Sequence, residues 1–258
     1  MERRNELWDE ILFFFKALAV GLLGVMFPFI ASGKSSLSTW ELDLGLGFIL
    51  NSPGQTSAQI NISNYEIDQL VQTKGPTKLS YYVGSRTTIV STPDSHWLNA
   101  LTLGLSNYYT NLQTQGSVNQ YQAPWLNNYT YNLRSTMDDL LLELQMKLRS
   151  VYRLTPFVSF GTGPGFGTMS YHETPNVGVT EGQNQLSTHH QTLWAFEIGA
   201  GGAYALTEKI GVTLQYLYIV HTNQLQSQVC GNERCLLQPL QTDMNLSELM
   251  VSLRYQFG

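Results

Sequence analysis

From Trp40 onward the chain changes character at every second residue. Trp40, Leu42, Leu44, Leu46, Phe48 and Leu50 alternate with Glu41, Asp43, Gly45, Gly47 and Ile49. Apolar positions two apart mark a strand with one apolar and one polar face, whereas an amphipathic helix needs them three and four apart. The same alternation returns over Leu79 to Ile89, Leu101 to Tyr109, Leu140 to Leu148, Trp194 to Tyr204, Ile210 to Val220 and Leu249 to Phe257, with Leu141 interrupting one polar face. Pro156, Val158 and Phe160 suggest one strand more, although Phe157 and the glycines between Gly161 and Gly167 blur its phase.

The intervals between these strands alternate too. Short breaks (Ser91 to His96, Arg149 to Arg153, Leu206 to Lys209) separate long polar ones (Asn51 to Lys78, Asn111 to Ser135, Met169 to Gln191, Thr222 to Asp243). Short turns on one side and long loops on the other predict an all-β, up-and-down antiparallel transmembrane barrel of about eight strands. In lipid the sheet must close, because no water is present to satisfy an open edge. The long breaks, rich in Asn, Gln, Ser, Thr and Gly, read as mobile loops. Within the first, Ile67, Leu70 and Val71 in the stretch Asn64 to Gln72 suggest a short helix.

The N-terminus obeys a different rule. Ile11 to Ala31 is nearly all apolar apart from Lys16, follows Arg3 and Arg4, and ends in Ala31-Ser32-Gly33. This is the layout of a secretory signal, with Glu2, Glu6, Asp9 and Glu10 against the pattern. The competing reading, an uncleaved membrane helix, needs about 20 apolar residues; the clean run from Ala17 to Ala31 is shorter and contains Pro28. The sequence thus divides into a signal peptide over 1–33 and a barrel over 34–258, which predicts export to a Gram-negative outer membrane.

Composition fits a wall between lipid and a polar lumen. Charged residues make up only 13% of the chain, against about 25% in ordinary globular domains, while Tyr (14) and Gly (22) are abundant. A net charge of -5 leaves no basic footprint for nucleic acid.

The strand Trp40-Glu-Leu-Asp-Leu-Gly-Leu-Gly-Phe48 and the ending Leu249-Met-Val-Ser-Leu-Arg-Tyr-Gln-Phe257 resemble the small eight-stranded outer-membrane barrels, such as the OmpA transmembrane domain and opacity-type surface proteins. The resemblance implies that Leu253, Tyr255 and Phe257 form the C-terminal signal read by the barrel-assembly machinery, although Gly258 follows the aromatic residue that usually ends it. It also implies outer-membrane lipids and lipopolysaccharide as surroundings, and a host-surface or protein ligand reached through the loops.

Candidate chemistry is sparse. Cys230 and Cys235, close together in an exported chain, read as a disulfide. His172, His189 and His190, with Glu173, Glu181, Ser187 and Thr188 nearby, fall in a presumed outer loop. An enzyme needs its groups held on rigid elements, so no catalytic set, metal site or cofactor is expected. Glu41, Asp43, Arg86, Glu143, Lys147, Glu197, Glu248 and Arg254 all fall on the polar face. A lumen of about eight strands is filled by side chains, and charges buried there must pair. Glu41, Lys147 and Arg254 are expected to meet at the periplasmic end, with Glu41 level with Arg254. Surface interaction or a membrane-structural role is the expected function; a narrow pore or a lipid A-modifying barrel enzyme are the alternatives.

Overall fold

The computed structural model describes residues 39–51, 54–55, 59–61, 67–74, 79–92, 97–179, 185–227, 230–231, 234–235 and 239–257. Eight strands form the wall: β1 (Trp40–Ile49), β2 (Leu79–Ser91), β3 (Leu98–Asn119), β4 (Asn127–Leu148), β5 (Leu154–Pro175), β6 (Gln185–Ala205), β7 (Ile210–His221) and β8 (Leu246–Phe257). Each pairs antiparallel with its sequence neighbours, and β1 pairs with β8, so the ring closes. The turns at the near end are tight. Leu154 N–H donates to the Val151 carbonyl across Tyr152, whose φ is +55°. Thr207 Oγ accepts from the Lys209 and Ile210 amides.

The lipid face is the apolar row of the sequence. Leu46, Phe48, Leu105, Leu142, Phe160, Phe196, Ile198, Leu214, Val251 and Leu253 are all exposed. Pro156, Val158 and Phe160 take the outward positions of β5, while Phe157 turns inward and is buried. Trp40 lies opposite Phe257 at the closing seam, and with Tyr204 and Tyr255 these make an aromatic band at the near end, as barrel interfaces favour.

The strands differ greatly in length. β1, β2, β7 and β8 have 10, 13, 12 and 12 residues, whereas β3 to β5 have 22 each and β6 has 21. About 9–11 residues cross a bilayer. The long strands therefore rise well beyond it as a half-cylinder. This corrects the loop expectation for Asn111 to Ser135 and Met169 to Gln191, which are largely hairpin. The expected helix at Asn64 to Gln72 is also corrected: Ile67–Lys74 is a strand paired with outer β3, Leu70 opposite Val118. Residues 62–66 lie outside the described residues.

Along β4 the amphipathic pattern inverts where the strand leaves the membrane. From Leu140 to Leu148 the outward residues are Leu140, Leu142, Leu144, Met146 and Leu148, over inward Glu143, Gln145 and Lys147. From Asn132 to Asp138 the outward residues are Asn132, Arg134, Thr136 and Asp138, over inward Leu133, Ser135 and Met137. β3 inverts at the same level, between Leu105 and Asn107 outside, with Leu112 and Val118 inward further up. The physical reason is a change of solvent: lipid outside a polar lumen below, water outside an apolar core above. That upper core joins Leu112, Leu133, Met137, Met169, Tyr171 and Leu193 of the wall to Ile60, Leu70, Leu225, Leu240 and Met244 of the inter-strand segments. Leu225–Ser227, Leu240–Asp243 and Gly54–Gln55 form a small three-stranded sheet over its open side.

Inward glycines make room for what crosses the barrel. A Cβ at Gly163 would lie 2.1 Å from the Leu140 carbonyl oxygen, a backbone atom that cannot move aside. Gly163→Ala is expected to destabilise the barrel by about 1–3 kcal/mol. Gly202→Ala, whose nearest neighbour is a flexible Leu154 methyl at 3.1 Å, should be near neutral. Urea midpoints of the two variants in detergent check this.

Candidate functional site

The lumen of the membrane half is packed with paired charges. Lys147 Nζ on β4 reaches across to bond Glu41 Oε1 on β1. Arg254 Nη1 lies 3.6 Å from Glu41 Oε2, and its Nε donates to Asp43 Oδ1 at 2.9 Å. Arg86 Nη2 lies 3.2 Å from Asp43 Oδ2 and 3.4 Å from Glu143 Oε1, and also bonds the Tyr82 hydroxyl. All are buried. Sequence reasoning named Glu41, Lys147 and Arg254 but set the register one pair off. With Trp40 opposite Phe257, Glu41 faces Gln256 and Arg254 faces Asp43. Arg254 therefore bridges Asp43, its register partner, and Glu41, one inward position nearer the mouth. The pairing network is wider than the expected three, with Arg86 holding the second half.

Further in, hydroxyl groups take over as partners of the carboxylates. Ser159 Oγ donates to Glu197 Oε1 at 2.7 Å and accepts from Gln215 Nε2 at 3.0 Å. Ser80 Oγ donates to Glu248 Oε2 at 2.7 Å, and Ser106 donates to Glu143. Tyr82 and Tyr108 pack with ring centroids 4.8 Å apart. At the top, His221 Nε2 meets Asp139 Oδ1 at 2.9 Å, both fully buried. Beyond that lies the apolar core. The lumen is thus a polar well open at the near end, where Lys147, Arg254, Lys209 and Glu208 line a cavity of about 560 Å³, and stopped on the far side.

The expected histidine loop is corrected to strand. His172 is on β5 and His189 and His190 on β6, all exposed. His172 faces out while Glu173, next to it, faces in and accepts from the Tyr171 hydroxyl at 2.5 Å. His190 Nδ1 meets the Thr168 hydroxyl at 3.1 Å. These side chains do not converge on one point. Glu181 lies outside the described residues, and of Ser187 and Thr188 only the backbone is described. Cys230 lies opposite Cys235 in a two-stranded hairpin, Cys230–Gly231 with Arg234–Cys235. Leu253, Tyr255 and Phe257 all face outward on β8.

The other candidate surface is the crest of the extension, which sequence reasoning missed. Between β3 and β4 a 3-10 turn, Gln120–Gln122, is closed by Gln120 N–H to the Leu126 carbonyl (3.1 Å) and Leu126 N–H to the Ala123 carbonyl (2.9 Å). Tyr121 N–H donates to Asp68 Oδ1 at 3.0 Å, and Asn128 Nδ2 to Gln120 Oε1 at 2.6 Å. The adjoining β5–β6 tip is tied on by Asn176, whose N–H bonds the Asn128 carbonyl and whose Nδ2 bonds that of Asn127, each at 2.8 Å. Tyr121 and Gln122 hold φ of +53° and +58°. Left-handed backbone at non-glycine residues costs about 1–3 kcal/mol each and persists only where the surroundings impose it. This framework presents Tyr121 and Trp125 to solvent, 58% and 83% exposed.

Comparisons with known proteins agree with this architecture. A family model described as the outer membrane protein beta-barrel domain matches residues 51–257. Among solved structures, a major outer membrane protein from Thermus thermophilus is similar at TM-score 0.51 and 11% identity, covering 86% of this chain and 100% of that one. OprG from Pseudomonas aeruginosa matches at TM-score 0.45 and 13% identity, with 85% and 96% covered. Ail, the attachment invasion locus protein of Yersinia pestis, matches at 0.38 and 10%, with 85% and 99% covered. No curated protein matches the chain. The family match spans most of the sequence and seven of the eight strands of the closed ring: the chain belongs to the outer-membrane protein β-barrel domain family, and its place is the Gram-negative outer membrane.

Proposed function

We propose that the protein is a non-enzymatic surface-interaction protein, its barrel serving as the anchor and its extension as the contact surface. The observation that carries this reading is the asymmetry of the wall: four strands continue far above the membrane with polar outer faces and apolar residues packed inside them. A chain needing only to span lipid has no use for such an extension. The filled lumen argues against the narrow-pore alternative, and the diverging His172 and Glu173 against a lipid-modifying enzyme. The ligand is a component of a host surface or a neighbouring protein, met outside the cell. Ail is described in complex with the heparin analogue sucrose octasulfate; the β3–β4 turn here, Gln120 to Leu126, carries no charged residue and suits a different ligand.

The test is attachment of a non-adherent Gram-negative host expressing the protein to epithelial cells and matrix-coated surfaces. The reading expects a clear gain over vector alone that is lost after surface proteolysis of the extension. Attachment equal to that of the vector control would overturn it.

Two processing features belong to the same proposal. Residues 1–33, which lie outside the described residues, act as the signal peptide. Cys230 and Cys235 are bridged: directly opposed antiparallel residues have Cα atoms about 4.5–5.5 Å apart, inside the disulfide range. Protein taken from intact envelopes without reductant should show no titratable thiol; free thiols on both cysteines would refute the bridge.

A further inference from the structure

We infer that the crest of the extension is a binding site for neutral oligosaccharide, with Trp125 and Tyr121 as stacking platforms. This rests on the surface-interaction reading and names its ligand class. Three observations lead here. Trp125 and Tyr121 are large side chains left in water at the β3–β4 turn, above the polar outer faces of the long strands, where no lipid covers them. The turn between them is closed by backbone bonds and tied down by Asp68 and Asn128, with Tyr121 and its neighbour Gln122 in left-handed backbone that folding alone would avoid. Strained, over-determined backbone is a mark of functional sites.

The third observation selects the ligand. From Trp97 to Leu133 the sequence contains no Asp, Glu, Lys, Arg or His. Exposed polar groups beside the aromatic pair are amides, Gln122 and Asn127. A sulfated or sialylated polymer would need cations, and a charged protein face would need opposite charge. Sugar rings offer C–H faces that pack on the electron-rich faces of Trp and Tyr, and hydroxyls that both donate and accept. Side-chain amides, with two donors and one acceptor oxygen, match such hydroxyls. A rigid aromatic platform flanked by neutral amides therefore fits a neutral glycan.

The test uses the full barrel in nanodiscs on an array of neutral, sulfated and sialylated oligosaccharides, with affinities then measured for the neutral glycans retained. Expected is binding to a subset of neutral glycans that changes little between about 0.05 and about 0.5 M NaCl, since no ion pair is screened. Trp125→Ala should weaken it at least about tenfold, as loss of an aromatic anchor does, and Trp125→Phe should restore part of it. Both changes are at a solvent-exposed position, and unchanged heat-modifiable migration of the variants verifies the barrel. Retention of charged glycans only, or neutral binding indifferent to Trp125→Ala, would overturn the proposal. Attachment of expressing cells is measured in parallel. Attachment that survives Trp125→Ala sinks the crest site and leaves the surface reading standing, whereas no attachment by wild type sinks both.

Discussion

Arg86→Ala is expected to destabilise the barrel by about 3–5 kcal/mol, because it removes a cation shared by two buried carboxylates and leaves one of them with none. Arg86 is 3% exposed and lies between Asp43 and Glu143. Asp43 keeps Arg254, but Glu143 retains only the Ser106 hydroxyl. Breaking a buried pair costs more than removing the whole pair, since the survivor remains desolvated and unneutralised. Arg254→Ala should cost less than Arg86→Ala, because Glu41 keeps Lys147 and Asp43 keeps Arg86. Urea or guanidinium midpoints in detergent, ranked wild type, then Arg254→Ala, then Arg86→Ala, check the sign. A midpoint for Arg86→Ala equal to wild type would show that the lumen charges are solvated rather than paired.

The second large effect lies outside the membrane. Leu225 is fully buried in the upper core, and its side chain reaches the space above Gly167. Leu225→Asp places an unpaired carboxylate there, a penalty of several kcal/mol. The apolar cluster runs on down to Tyr82, Leu141 and Met250, but Leu225 sits at its upper end, so the damage should be greatest in the extension. Protease added to intact cells should then cut within β3–β4 or β5–β6 above the membrane, where wild type resists, while the barrel keeps its heat-modifiable migration. Loss of the barrel itself would mean that extension and barrel fold as one.

What the sequence made legible divides at the membrane surface. Below it, lipid forces a near-pure apolar row on one face, and Leu42 to Leu50 or Leu249 to Phe257 can be read by eye. Above it the same strands put Asn111, Gln113, Gln115 and Ser117 outward, a composition that looks like loop. The inward row there, Leu112, Thr114, Gly116 and Val118, is diluted by small and polar residues. Period two persists through Tyr129, Tyr131, Leu133 and Met137, with its phase reversed, and that reversal was the available signal. Ile67, Leu70 and Val71 have helical spacing, but pairing with outer β3 overrides it. Asp68 and Leu70 face the core, and Val71 is exposed. Among the charges, the inward face told which residues enter the lumen. Which of them meet across it depends on register and stagger, so Arg86 as the hub and the partner of Arg254 came only from the structure.

Each long strand runs through lipid and then through water, around a polar well below and an apolar core above. Spin labels at single cysteines, with Cys230 and Cys235 replaced by Ser, test this most directly. Leu142 and Leu105 should collide freely with oxygen and poorly with a polar nickel chelate, Asn132 and Gln113 the reverse, and Leu133 should be immobile and shielded from both. Mobile, chelate-accessible spectra at Leu133 and Asn132 alike would mean that the upper half is loop, and would contradict the account.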